Sequence, residues 1–174
     1  TTMGAYTPSF FGGFSTNLSY KNFDLATVFT YSVGGEIYNY ARAEFDSDGA
    51  YTDRNQMNLH SGWSRWTKPG DIATHPQASY NNPTNSNKAS SRYLESGTYL
   101  KMRSMSVGYN FNVEHLKISN FRIFLAAENI FTISHFSGVD PEIPPNQANG
   151  QITGVSTSVY PQTRKFVLGL NLTL

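Results

Sequence analysis

The chain has 174 residues, and its 13 basic and 12 acidic side chains leave a net charge of +1, so there is no electrostatic footprint for nucleic acid. It has no cysteine, which excludes disulfide stapling and thiol chemistry, and no run approaches the roughly 18 consecutive apolar residues of a spanning helix. Aromatic residues make up 14% of it and charged residues another 14%; with a negative mean hydropathy, this suits a wet interior and long loops better than a dry core.

The first residues, Thr1–Phe10, lack the basic segment, apolar stretch and small-residue cleavage site of a secretory signal, so the expectation is either that export is encoded elsewhere or that this is not the whole gene product. Five segments then alternate apolar and polar residues with period 2, the mark of a strand with one apolar and one wet face. Residues 12–21 put Phe14, Leu18 and Tyr20 on one side and Ser15, Asn17 and Ser19 on the other. A strand over 23–38 follows a tight turn at Lys21-Asn22, with Phe23, Leu25, Phe29 and Tyr31 opposite Asp24, Thr30 and Ser32. A strand over 97–111 carries Met105, Val107, Tyr109 and Phe111 against Ser104, Ser106, Gly108 and Asn110. The strand over 120–131 sets Phe121, Ile123, Leu125 and Ala127 against Arg122, Phe124, Ala126 and Glu128. The last, over 161–174, sets Phe166, Leu168, Leu170, Leu172 and Leu174 against Lys165, Gly169, Asn171 and Thr173.

Connections alternate in length. The turns at 21–22 and 112–120 are short, whereas residues 39–96 and 132–160 are long and rich in Pro, Gly, Asn and Ser. Short turns at one end and long loops at the other describe an outer-membrane barrel with its long loops outside the cell. Aromatics fall where such a barrel meets its two interfaces: Tyr20, Phe23, Tyr109, Phe111 and Phe121 near short turns, Tyr31, Tyr99, Phe131 and Phe166 near long loops. The predicted fold class is therefore all-β, an antiparallel transmembrane β-barrel. Five strands cannot close, and an open edge in lipid leaves backbone groups unsatisfied, so these are expected to be the last strands of a larger barrel. A soluble β-sandwich, such as a carbohydrate-binding module, would alternate in the same way but bury its apolar faces. A passive porin would share the strand pattern.

Several segments together resemble the C-terminal region of SusC/RagA-family TonB-dependent outer-membrane transporters of Bacteroidetes. They are P-S-F-F-G-G-F at 8–14, Y-K-N-F-D-L at 20–25, G-G-E-I-Y-N at 34–39 and R-W-T-K-P-G-D at 65–71, then G-T-Y-L-K-M-R at 97–103, A-E-N-I-F-T at 127–132, G-V-D-P-E at 138–142 and Y-P-Q-T-R-K-F at 160–166. The resemblance implies a plugged barrel of about 22 strands, whose plug and TonB-contacting segment are absent from these residues. It also implies nutrient uptake of an oligosaccharide or peptide beneath a SusD-like lipoprotein lid, energised by TonB, in contact with lipid or lipopolysaccharide, and possible pairing of two importer–lid units as a dimer. No enzymatic activity, cofactor or nucleic-acid partner is implied. A barrel-assembly signal maps to Phe166, Gly169, Leu172 and Leu174, the last standing where the family favours Phe.

Each group of candidate residues also has a plain structural role. Trp63, Arg65 and Trp66 in the first long loop have the chemistry to contact substrate or lid, although packing of the loop on itself is favoured. Asp24, Arg122, Glu128 and Lys165 fall on the expected lumen faces, where mutual pairing outweighs substrate contact as the expectation. Asp140 and Glu142 flank Pro141 in a way that suits a structural turn better than acid/base or calcium chemistry. His60, His75, His115 and His135 lack metal-ligand spacing, and no arrangement for nucleophilic catalysis is present.

Overall fold

The computed structural model describes residues 4–113, 118, 120–142, 155–156 and 160–173. Alternating sequences become strands β1 (Phe10–Tyr20), β2 (Phe23–Val33), β5 (Tyr99–Phe111), β6 (Asn120–Ser134) and β8 (Lys165–Thr173). They form one antiparallel sheet in the order β1-β2-β5-β6-β8. The order is up-and-down with β1 and β8 as open edges, as expected of part of a barrel wall. Lys21 adopts φ +52°, the left-handed conformation a two-residue hairpin demands, and Asn22 ties that turn to the next hairpin by donating its side-chain amide to the Asn110 carbonyl at 2.8 Å.

The register keeps apolar residues on one face across the sheet: Leu18 opposes Leu25, Leu25 opposes Val107, Val107 opposes Leu125 and Leu125 opposes Leu168. This face is uncovered. Leu18 is 57% exposed, Leu125 45% and Leu168 73%, so the described residues place no second layer there of the kind a β-sandwich would have. Rings line its short-turn end, with Phe23 and Tyr109 at 4.6 Å, Tyr109 and Phe111 at 4.7 Å and Phe111 and Phe121 at 5.1 Å between centroids.

Two departures from strict alternation follow from local irregularities. The strand expected over 23–38 is broken at Gly34 and Gly35, whose φ values of +80° and +75° only glycine adopts readily. Beyond them β3 (Glu36–Asn39) leaves the main sheet and joins β4 (Leu94–Ser96) and β7 (Val155–Ser156) in a three-stranded sheet. A β-bulge between Met102 and Ser104 is the second irregularity. It inverts the alternation in the upper half of β5, so Leu100 and Met102 align with Tyr31 and Phe29 of the apolar face, while Tyr99 aligns with Ser32 and Lys101 with Thr30 of the polar one. Tyr99 is thereby removed from the expected outer girdle.

The expected loop at 39–96 is a folded unit. It opens with α1 (Tyr40–Phe45), capped by Asn39 accepting from the Arg42 amide at 3.0 Å, and closes with a 3-10 turn at Ser91–Tyr93. Its interior includes Ile37, Ala43 and Tyr93 but also fully buried Asp46 and Asp48. Observed strands are offset at the long-loop end from the expected ones, β6 running on to Ser134 and β8 starting at Lys165.

Candidate functional site

On the polar face of the sheet, charges meet in pairs. Asp24 of β2 and Arg122 of β6 bond across the intervening β5, with Arg122 Nη2 2.5 Å from Oδ2 and Nε 3.0 Å from Oδ1. Gly108 of β5 leaves them room, since a Cβ there would lie 2.3 Å from Arg122 Nη2. Phe124 is opposed by Gly108 on one side and Gly169 on the other; its ring lies over Gly169, with the Arg122 guanidinium 5.0 Å from the ring centroid. Glu128 and Lys165 also meet, at 3.4 Å, but both are more than half exposed, so this pair contributes little. All four charges expected on the lumen side are on one face and engaged with each other.

Near the long-loop end, Lys101 is 2% exposed and its ammonium lies 2.7 Å from Asp140 and 3.3 Å from Glu142. Glu142 also accepts from Arg103. Asp140 bonds the Glu142 amide at 2.9 Å, the local turn expected around Pro141. The sequence hid Lys101 and Arg103 because the bulge that turns Lys101 to the polar face cannot be read from periodicity. Asp140 and Glu142 stand out in the sequence as a turn, whereas nothing there pairs them with Lys101 and Arg103.

The first long loop is organised around Asp46 and Asp48. Arg65 reaches Asp48 at 2.7 Å and Asp46 at 3.3 Å, Arg92 reaches the same two at 2.7 and 2.9 Å, and Ser86 adds a bond to Asp48 at 2.9 Å. Burial pushes the Asp48 carboxyl up, but the bonds from Arg92, Arg65 and Ser86 outweigh it and hold the group below the usual carboxylate range. His75 Nε2 is 2.7 Å from Asp46; burial, helped by the positive charges of Arg92 and Arg42, holds this imidazole below its ordinary pKa in spite of the nearby carboxylate. Tyr93, fully buried, is pushed up to about 12 by burial. Trp63 stacks under the Arg42 guanidinium at 4.3 Å and packs on His75 at 4.8 Å, while the Trp66 backbone pairs with His75 at 2.8 Å. Two of the three loop candidates thus commit their chemistry to the loop's own interior. No group of three His, Asp or Glu among the described residues is placed to hold a metal ion.

The hollows that face solvent include two lined by described residues. One, of about 270 Å³, is bordered by Tyr51, Arg54, Gln56 and Tyr80 on the first loop. The other, of about 210 Å³, lies where β8 stops pairing with β6. The β6–β8 pairing ends at Glu128 and Lys165, while β6 continues upward and the residues leading into β8 diverge from it. Lys101, Asn129, Thr132, Asp140, Gln162 and Arg164 line the gap. Four of the sequence segments quoted above, at 97–103, 127–132, 138–142 and 160–166, therefore converge on one polar pocket. Of the assembly-signal residues, Phe166 and Leu172 are on the apolar face and Gly169 on the polar one; Leu174 lies outside the described residues, as does His115.

No protein-family model matches the chain. It is 32% identical over 98% of its length to TonB-dependent receptor P3 of Formosa agariphila and 24% identical over 92% to TonB-dependent receptor SusC of Bacteroides thetaiotaomicron. It spans 17% and 14% of those proteins respectively. Among solved structures it resembles a chain of the RagAB peptide importer in the closed-closed state, with a TM-score of 0.74 and 23% identity over 97% of this chain and 18% of that one. The open-open state gives a TM-score of 0.66 at 20% identity.

Proposed function

We propose that this chain, a SusC/RagA-type barrel segment of a TonB-dependent receptor, forms part of the wall and outer rim of an outer-membrane nutrient importer. The observation that carries the reading is the division of one open-edged sheet into an uncovered apolar face and a charge-paired polar face, with the folded loop of residues 39–96 at the end opposite the Lys21-Asn22 turn. Lipid satisfies the first face, and a water-filled, plugged lumen satisfies the second. The wall then contributes shape and polarity, and the loops at 39–96 and 132–160 contribute rim surface to cargo and lid.

Cargo in this reading is an oligosaccharide or a peptide, held under a SusD-like lipoprotein and admitted when TonB displaces the plug. Relatives named as receptors and importers support transport over catalysis. Trp66 remains a candidate for contact at the rim, and the interior engagement of Trp63 and Arg65 makes them supports of that rim.

The test uses the full-length receptor in its own outer membrane, with uptake of labelled oligosaccharide and peptide mixtures measured in cells with and without TonB. Uptake lost without TonB is the expected result. Uptake indifferent to TonB assigns the barrel to passive porins, and recovery of the receptor without detergent overturns a membrane role altogether.

A further inference from the structure

Along the polar face, each cation of the strands has a carboxylate: Lys101 with Asp140 and Glu142, Arg103 with Glu142, Arg122 with Asp24 and Lys165 with Glu128. Arg164, which lines the pocket between β6 and the approach to β8, makes no ion pair among the described residues. Asp140, the carboxylate in the same lining, is engaged by Lys101 and by the Glu142 amide. The sequence from Ile143 to Val159 contains no Asp or Glu, so the loop joining the two sides of the pocket has no carboxylate to offer. Arg164 is exposed and its guanidinium is open to an anion brought by a ligand.

We propose that this pocket is a carboxylate subsite for imported solute. Arg164 supplies the planar fork that matches a carboxylate, and Asn129, Thr132 and Gln162 supply polar groups around it. A volume of about 210 Å³ admits a head group and not a protein surface, which selects an acidic solute end: a uronate residue or a free peptide C-terminus. The assignment rests on the importer reading and narrows its cargo to acids.

The probes are a glucuronate oligosaccharide with its methyl ester, and a tetrapeptide with its C-terminal amide, titrated calorimetrically into the purified full-length receptor. The wild type is expected to bind one acid about tenfold or more tightly than its neutral counterpart, as loss of a charge-assisted hydrogen bond implies. The pair that discriminates identifies the source of the carboxylate. In Arg164→Gln the acid falls to the affinity of the neutral compound, which itself is unchanged; Arg164→Lys retains part of the preference. Equal binding of acid and neutral compound by the wild type, no binding of either, or a preference that survives Arg164→Gln overturns the subsite. So does an Arg164→Gln receptor that keeps its acid preference but loses a co-purifying protein, which would make the counter-charge a partner's side chain. Any of these results alongside TonB-dependent uptake leaves the importer standing, whereas TonB-independent uptake by the wild type removes the importer reading itself.

Discussion

Arg122 holds Asp24 across a strand that belongs to neither, with Nη2 2.5 Å from Oδ2, and the contact exists because Gly108 beneath it has no side chain. An added Cβ would lie 2.3 Å from Arg122 Nη2 and 2.5 Å from Asp24 Oδ1. Gly108→Ala is therefore expected to open the pair and lower the unfolding free energy of the full barrel by about 1 kcal/mol or more. In the background Asp24→Asn with Arg122→Gln the same alanine should cost less, because there is no longer a pair to break. Urea unfolding of the four variants in lipid vesicles measures the difference, and strict additivity would show that the glycine serves some other purpose.

The wall was legible in the sequence because apolar and polar residues alternate along its strands. Leu18, Leu25, Val107, Leu125 and Leu168 had to lie in one row, and once they did, Asp24, Arg122, Glu128 and Lys165 had to share the other face. What period-2 reading missed were places where backbone geometry interrupts the period. The Gly34-Gly35 break sends β3 into a separate sheet, and the bulge beside Arg103 moves Tyr99 to the polar face and turns Lys101 toward Asp140. The ionic interior of the first loop was illegible for a different reason. Arg65, His75 and Arg92 are far in sequence from Asp46 and Asp48 and have no spacing that marks them as their neighbours, so only the folded loop unites them.

Asp48 accepts from two arginines and a serine while fully buried. Asp48→Asn keeps its shape and removes its charge, leaving Arg65 and Arg92 short of a partner. Breaking a buried pair in this way costs about 3 kcal/mol, and the loss should be confined to the loop. Hydrogen exchange in the full receptor is expected to quicken across residues 46–92 and to stay unchanged in β2, β5 and β6. Protection that is unaltered in the loop would mean that the arginines are satisfied without Asp48.

His75 gives the same loop a pH dependence. Its folded pKa is held below the ordinary 6.5, first by burial and then by the nearby arginines. In the window beneath 6.5 the unfolded loop binds a proton that the folded loop refuses. The contribution to stability is complete above about pH 6.5 and is lost as pH falls toward the folded value. Asp48, whose pKa is lowered from 3.8, contributes above that value and loses its contribution only in stronger acid. Limited proteolysis of the loop should therefore speed up between pH 7 and pH 5 in the wild type, and His75→Gln should flatten that response. An equally steep profile in His75→Gln would assign the titration to another group.

Adjacent residues of β8 test the direction of the wall itself. Leu168 opposes Leu125 on the apolar face and is 73% exposed, while Val167 opposes Ala126 on the polar face and is 53% exposed. Exposure alone would make arginine equally acceptable at either. If the apolar face meets hydrocarbon, the two substitutions separate: arginine on the lipid side of a barrel costs about 2–4 kcal/mol near the bilayer midplane, whereas a lumen position tolerates charge. Leu168→Arg is expected to reduce the yield of folded, heat-modifiable receptor in the outer membrane, and Val167→Arg to leave it near wild type. Urea titration of both in vesicles gives the energies, and comparable costs at the two positions would show that the uncovered leucine row does not face lipid.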